Sequence, residues 1–270
     1  MGTPVFWKIS LAATLGCFVL ASPALGIRIG SDDRMTFGEF ASASGLKDSE
    51  VQRLFSASVR IVCPWGTGGA ALIGDGRVFV TADHVIFGTA DEELAPLVCY
   101  LESFDGKQKF QIDAKTLIRG KSVQPKAIST GDNDWTIGRI RSAVAGIVPY
   151  RLGRSRKPGQ EVIAVSQGQL NWKNHTYPTP SIGKCRILSA SISSDYTDCD
   201  SDKGSSGATL LGPVLSTGEA PELIGIGVWT YYGPAGAYSS KDCDDTRKCA
   251  TQYVGIRGKL RKAILKMLAE

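Results

Sequence analysis

Histidine is scarce in this sequence of 270 residues: His84 and His175 are the only two. No HExxH helix, phosphate-binding loop or EF-hand aspartate ladder occurs, so no cofactor and no metal are expected. No two cysteines stand at CxxC spacing, and His175 lies far from any of them, which argues against a zinc knuckle. Basic residues never gather into a run of five, and the net charge of +5 is mild and dispersed, so nucleic acid is not an expected partner. Beyond the amino terminus, no segment approaches the roughly 20 apolar residues that cross a bilayer. No amphipathic helix separates the apolar segments of the middle, which disfavours a parallel sheet of alternating strand and helix units.

What is present begins with the opening "MGTPVFWKISLAATLGCFVLASPALG". A lysine, an apolar stretch of about a dozen residues and small residues around Ala24 and Gly26 form the layout of a cleaved export signal over residues 1–26. The expected destination is secreted or periplasmic, with no stable membrane association once the signal is removed. Cysteine usage agrees. Cys17 leaves with the signal, and Cys63, Cys99, Cys185, Cys199, Cys243 and Cys249 remain, an even set that reads as disulfides in an oxidising compartment. Pairing in chain order gives Cys63–Cys99, Cys185–Cys199 and Cys243–Cys249, one of about 15 arrangements open to six cysteines. Asn174 opens an "NHT" triplet that fits a glycosylation acceptor in a eukaryotic secretory route.

Residues 27–55 are polar and rich in alanine and serine, with one helical segment in "LKDSEVQRLF", where Leu46, Val51, Leu54 and Phe55 recur at helical spacing. They read as an extension, pro-segment or covering arm. From Ser56 the pattern changes. "SVRIVC", "GAALIG", "RVFVTA", "PLVCYL", "QKFQID" and "WTIGRI" are short, rich in β-branched and aromatic residues, and broken by Gly, Asp and Pro. A second set follows in "PYRLG", "EVIAVSQG", "CRILSASI", "ATLLGPVL", "LIGIGVWTYY" and "QYVGI". Two sets of about six strands predict an all-β chain, either two barrels or a pair of sandwiches, divided near 142–157. The tail "GKLRKAILKMLAE" predicts a helix, with Leu260, Ile264, Met267 and Leu268 on one face.

The chemistry turns on "CDSDKGSSGATL", residues 199–210, whose many small residues mark a tight curl of chain. A serine there needs an adjacent base to act as a nucleophile. His175 sits in a polar, proline-punctuated loop; His84 closes the apolar strand of "RVFVTADHVIFG". Asp134, at the mouth of the strand in "GDNDWTIGRI", can orient an imidazole, whereas Asp132 reads as a turn aspartate. A glycine two residues before Ser206 lets the amides of Gly204 and Ser206 face one point, as an oxyanion hole requires.

Taken in order, these segments resemble the chymotrypsin-like serine proteases, particularly the secreted bacterial branch, over roughly Ser56 to Glu270. "GTGGAALIGDGRVFVTADHV" is similar to the strand–turn–strand that ends on the family's TAAH motif, "NDWTIGRI" to its aspartate and following strand, and "GSSGATL" to its GDSGGPL. The resemblance implies two six-stranded antiparallel β-barrels, about 56–145 and 155–257, with a C-terminal helix over 258–269. It also implies His84 as general base, Asp134 as its orienter and Ser206 as nucleophile. "GIGVWTYYG" resembles the strand that receives substrate, so Val228, Trp229 and Thr230 would line the pocket. Asp200, six residues before Ser206, stands where trypsin-like members hold a basic side chain.

The sequence also departs from that pattern. Ser205 replaces an aspartate, Ala208 and Thr209 replace glycine and proline, and Asp83 stands beside His84, where a solvent-facing side chain is expected. The expected function is an exported serine endopeptidase, a monomer acting on protein or peptide substrates, with cleavage after basic residues as its finer specificity. The alternative is an inactive protease-like fold used for binding or adhesion. A nucleophile-elbow hydrolase would need GxSxG between strand and helix, a frame that "GSSGA" lacks.

Overall fold

The computed structural model describes residues 29, 31–88, 95–120, 133–142, 144–154, 156–167, 180–202, 204–213, 219–232 and 249–270. The export signal, Asp132, Asn174, His175 and Cys243 lie outside these residues.

The first set of strands closes on itself. β1 (Ser58–Cys63), β2 (Gly66–Ile73), β3 (Val78–Thr81), β4 (Tyr100–Glu102), β5 (Lys109–Arg119) and β6 (Thr136–Ile140) form an antiparallel barrel in the order β1-β2-β3-β6-β5-β4, with β4 returning to β1. Ile61, Leu72, Phe79, Leu101 and Ile140 share its inner face and are fully buried. Each such side chain contributes about 1.5–3 kcal/mol relative to exposure.

The second set forms a similar closed barrel. β8 (Glu161–Ser166), β9 (Ser181–Ala190), β10 (Ser194–Thr197), β11 (Thr209–Leu211), β12 (Glu222–Tyr232) and β13 (Cys249–Gly255) run in the order β11-β8-β9-β10-β13-β12, and β12 pairs back with β11. β7 (Arg151–Leu152) joins the start of β12 in parallel, so "PYRLG" lies beside this barrel without being one of its six staves. The sixth stave is β10, in "SDYT", where no strand was expected.

Three of the four short helices were not expected from the sequence. In "PLVCYL" the chain makes a helical turn, α4 (Ala95–Val98), before β4 begins, with Pro96 in the first turn where its missing N–H matters least. α3 (Asp83–Phe87) follows β3 directly. The amino-terminal arm folds as α1 (Phe37–Ser44) and α2 (Asp48–Leu54); α2 matches the periodicity of "LKDSEVQRLF". α1 is fixed at its start by a capping box: Thr36 Oγ1 accepts from the Glu39 amide while Glu39 accepts from the Thr36 amide. Phe40 packs edge-on against Phe55, and Met35 pairs with Ile182, so the arm is joined to the second barrel.

The barrels meet along a polar seam. Ser58 Oγ bonds Tyr150 Oη at 2.7 Å and Thr209 Oγ1 at 2.6 Å, all three buried. Thr209, a departure from the family pattern, thus ties the second barrel to β1 of the first. The terminal helix α5 (Gly258–Ala269) adds a second tie. It leaves the second barrel and buries Leu260, Ile264 and Met267 in the core shared with the first, where Arg139 donates to the Met267 carbonyl.

Candidate active site

Three elements bring one side chain each to the seam. β3 ends at Thr81 and the chain turns into α3, which carries His84 in its first turn. The first amides of a helix lack internal partners. Here the His84 amide donates to Asp134 Oδ1 at 3.0 Å, while the imidazole Nδ1 bonds Asp134 Oδ2 at 2.6 Å. One carboxylate, entering just before β6 and only 1 % exposed, therefore fixes both the backbone and the ring of His84. With Nδ1 donating, Nε2 is left to accept, and Ser206 Oγ lies 2.7 Å away to donate to it. Ser206 sits on the turn between Asp202 and β11.

That turn is built from glycine and short-range bonds. Gly204 and Gly207 have φ of 91° and 80°, a left-handed conformation that side chains resist. The Ser205 amide donates to the Asp202 carbonyl at 2.9 Å, and the Asp202 amide donates to Ser205 Oγ at 2.8 Å. Ser205 thus holds the turn locally. The Gly207 amide donates to Gly227 on β12 and the Gly69 amide of β2 donates to the Ser206 carbonyl, each at 2.7 Å. Among the described residues, no group accepts from the amides of Gly204 and Ser206.

The electrostatics of the imidazole follow from these neighbours. Partial burial disfavours its charged form, but the charge and hydrogen bond of Asp134, with a smaller push from Asp83, outweigh that and raise its pKa above 6.5. The ring keeps 28 % of its surface open.

Asp83 corrects an expectation. Its side chain does not face solvent; it is 1 % exposed and takes both nitrogens of a bidentate Arg119 at 2.8 and 2.7 Å, with Thr136 Oγ1 donating to the same carboxylate. Arg119 and Thr136 were not singled out from the sequence. A β-strand places residues two apart on one face, so Thr136 following Asp134 was the available signal.

Asp200 is also buried, with 7 % of its surface exposed. Its Oδ1 accepts from the Ile29 amide at 2.7 Å and its Oδ2 from the Asp33 amide at 3.4 Å, so the chain's own amino-terminal arm occupies the carboxylate. Val228 is buried on β12 beside the Ser206 turn, at a break in the register with β13 between Gly227 and Trp229. Trp229 and Thr230 continue that strand. Of the cysteines, Cys63 bonds Cys99 and Cys185 bonds Cys199. Cys249 is the last residue before Ala250 on β13, and its expected partner Cys243 is outside the described residues. No cluster of metal-binding side chains occurs among the described residues.

Two solved structures share this architecture. A Glu endopeptidase determined in complex with MPD aligns with 90 % of this chain and 99 % of its own, at a TM-score of 0.62 and 9 % identity. A scabies mite inactivated protease paralogue aligns with 80 % of this chain and 96 % of its own, at a TM-score of 0.56 and 12 % identity. No family model and no curated protein matches the chain. Identities this low establish the fold alone, and that fold is the chymotrypsin-like pair of barrels.

Proposed function

We propose that the chain is an exported serine endopeptidase. The observation that carries this reading is the unbroken hydrogen-bonded series Asp134–His84–Ser206, with links of 2.6 and 2.7 Å, on a chymotrypsin-like fold. In it, Ser206 Oγ attacks a peptide carbonyl while His84 Nε2 takes the proton; Asp134 holds the ring and stabilises the imidazolium. The amides of Gly204 and Ser206 receive the oxyanion, a service worth about 10²–10³ in rate per donor. His84 then protonates the leaving amine, and water, activated by the same imidazole, releases the acyl group from Ser206.

The finer elements rest on particular residues. Two disulfides are in keeping with an oxidising compartment and so with export, the signal being removed near Ala24 or Gly26 in this reading. The extension 27–55 would act as a covering arm, a reading supported by the pairing of Met35 with Ile182 of the second barrel. Preference for a basic side chain before the scissile bond requires Asp200 to accept it in competition with the Ile29 amide. Val228, Trp229 and Thr230 would form the wall beside it.

A second reading, a protease fold retained for binding, is favoured by the likeness to an inactivated paralogue. Labelling of the purified protein with a fluorophosphonate decides between them. Covalent labelling that disappears in both Ser206→Ala and His84→Ala is expected; an unlabelled, well-folded, disulfide-intact wild type would favour the binding module.

A further inference from the structure

A buried carboxylate next to the histidine has no part in the three-residue series, yet it is one of the most fully engaged acidic groups of the first barrel. Thr81, Thr136 and Arg119 lie on one rung across β3, β6 and β5: Thr136 is paired with Thr81 on one side and with Arg119 on the other. Asp83 stands two residues beyond Thr81, and Asp134 two residues before Thr136. The rung therefore ends in two carboxylates that flank His84, one from its own helix and one from the facing strand.

Asp83 is held to this rung on every side. Arg119 grips it with a bidentate fork, Thr136 donates a third hydrogen bond, and the Arg119 guanidinium lies 3.7 Å over the Phe87 ring at the far end of α3. Such a buried ion pair adds little to stability compared with apolar residues of the same volume, because desolvating two charges offsets their attraction. Its geometric consequence is definite. Both ends of a five-residue helix are attached to one arginine of β5, and His84 lies between those attachments.

We propose that Asp83, clamped by Arg119 and Thr136, is a positioning residue that holds His84 in register with Asp134 and Ser206 and favours the protonated ring formed during the reaction. The proposal rests on the protease reading for its catalytic consequence, and on geometry for the effect on the ring. Asp134 from the start of β6 and the neutral hydroxyl of Ser206 bond the imidazole directly, while Asp83 on its own helix acts on it through its charge and is itself paired with Arg119 from the end of β5. Asp83 is among the groups that stabilise the imidazolium.

The test is Asp83→Asn, which keeps the shape and an acceptor for Arg119 but removes the charge. The imidazole of His84 is titrated by NMR, with His175→Ala to identify its signal, and kcat and KM are measured against pH. In Asp83→Asn the midpoint of His84 moves down by about half a pH unit or more. Its kcat falls by about tenfold while KM is unchanged, since substrate contacts are intact and only alignment of the base is lost. If Asp83→Asn does not fold, Asp83→Asn with Arg119→Met removes the orphaned cation, and its His84 midpoint is likewise expected below that of the wild type. A folded variant whose His84 titrates at the wild-type midpoint overturns the proposal. An inactive wild type overturns the protease reading instead, and the titration, which needs no turnover, still decides the role of Asp83.

Discussion

The Gly69 amide donates to the Ser206 carbonyl at 2.7 Å, so a main-chain bond from the first barrel holds Ser206 of the second. The approach is so close that a methyl group on Gly207 would lie 1.9 Å from the Gly69 carbonyl oxygen and 2.7 Å from Thr81 Oγ1. Thr81 Oγ1 itself donates to that oxygen, which fixes its position.

Gly207→Ala is therefore expected to separate the barrels at this point. Its φ of 80° adds backbone strain to the overlap, and neither neighbour is a flexible side-chain tip. A loss of about 3 kcal/mol or more in unfolding free energy follows, together with loss of fluorophosphonate labelling. Denaturant unfolding of Gly207→Ala at wild-type stability would contradict the close contact.

The raised pKa of His84 sets the acid limb of activity. The base must be neutral to accept the serine proton, so kcat/KM is expected to rise with pH through a midpoint above 6.5. The linkage to folding has the opposite sense. The folded state holds this proton more tightly than the unfolded chain, so the contribution of the His84–Asp134 pair to stability is complete below 6.5 and fades as pH rises through the folded value. A pH–rate profile with its acid midpoint below 6.5 would contradict the arrangement.

Much of this site was legible before any coordinates. β-branched runs marked most of the staves, the order His84, Asp134, Ser206 marked the series, and the periodicity of the tail located α5 at Gly258–Ala269. What escaped was polar burial. β10 reads "SDYT", and its Ser194, Asp195 and Thr197 are buried because Gln252 bonds the first, Arg257 the second and the Thr251 carbonyl the third. No local pattern predicts a partner more than 50 residues away. Asp83 escaped for a similar reason: its burial depends on Arg119, 36 residues away at the far end of β5. α1 was missed for a different reason: its apolar face is short, and the Thr36–Glu39 capping box was the one usable signal.

The two disulfides should differ in weight. Cys63–Cys99 closes a separation of 36 residues and Cys185–Cys199 one of 14. Restriction of the unfolded chain then contributes about 4 kcal/mol for the longer loop and about 3 kcal/mol for the shorter. Thermal unfolding of Cys63→Ala/Cys99→Ala is expected at a lower temperature than that of Cys185→Ala/Cys199→Ala. Equal melting in the two double variants and the wild type would mean that neither bond forms in the folded protein.

Asp200 offers the sharpest separation of structure from specificity. Burial pushes its carboxyl up from 3.8 to about 6, and the Ile29 amide offsets only part of that, so the group is mostly ionised at neutral pH but its ionisation costs more in the fold than in the unfolded chain. The folded state then binds this proton more tightly than the unfolded chain, and stability from this group declines as pH rises from 3.8 to about 6. Asp200→Asn keeps an oxygen for the Ile29 amide and discards the charge. It is expected to melt higher than wild type at pH 7, by several degrees for about 2 kcal/mol, and to lose the advantage near pH 4. The same variant assayed on a peptide library reports on recognition. If a basic side chain reaches the carboxylate, the preference for Arg and Lys collapses while hydrolysis after other residues persists. If the arm retains the carboxylate, the profile is unchanged even as the melting temperature rises, and the residue belongs to the seat of the amino-terminal arm alone.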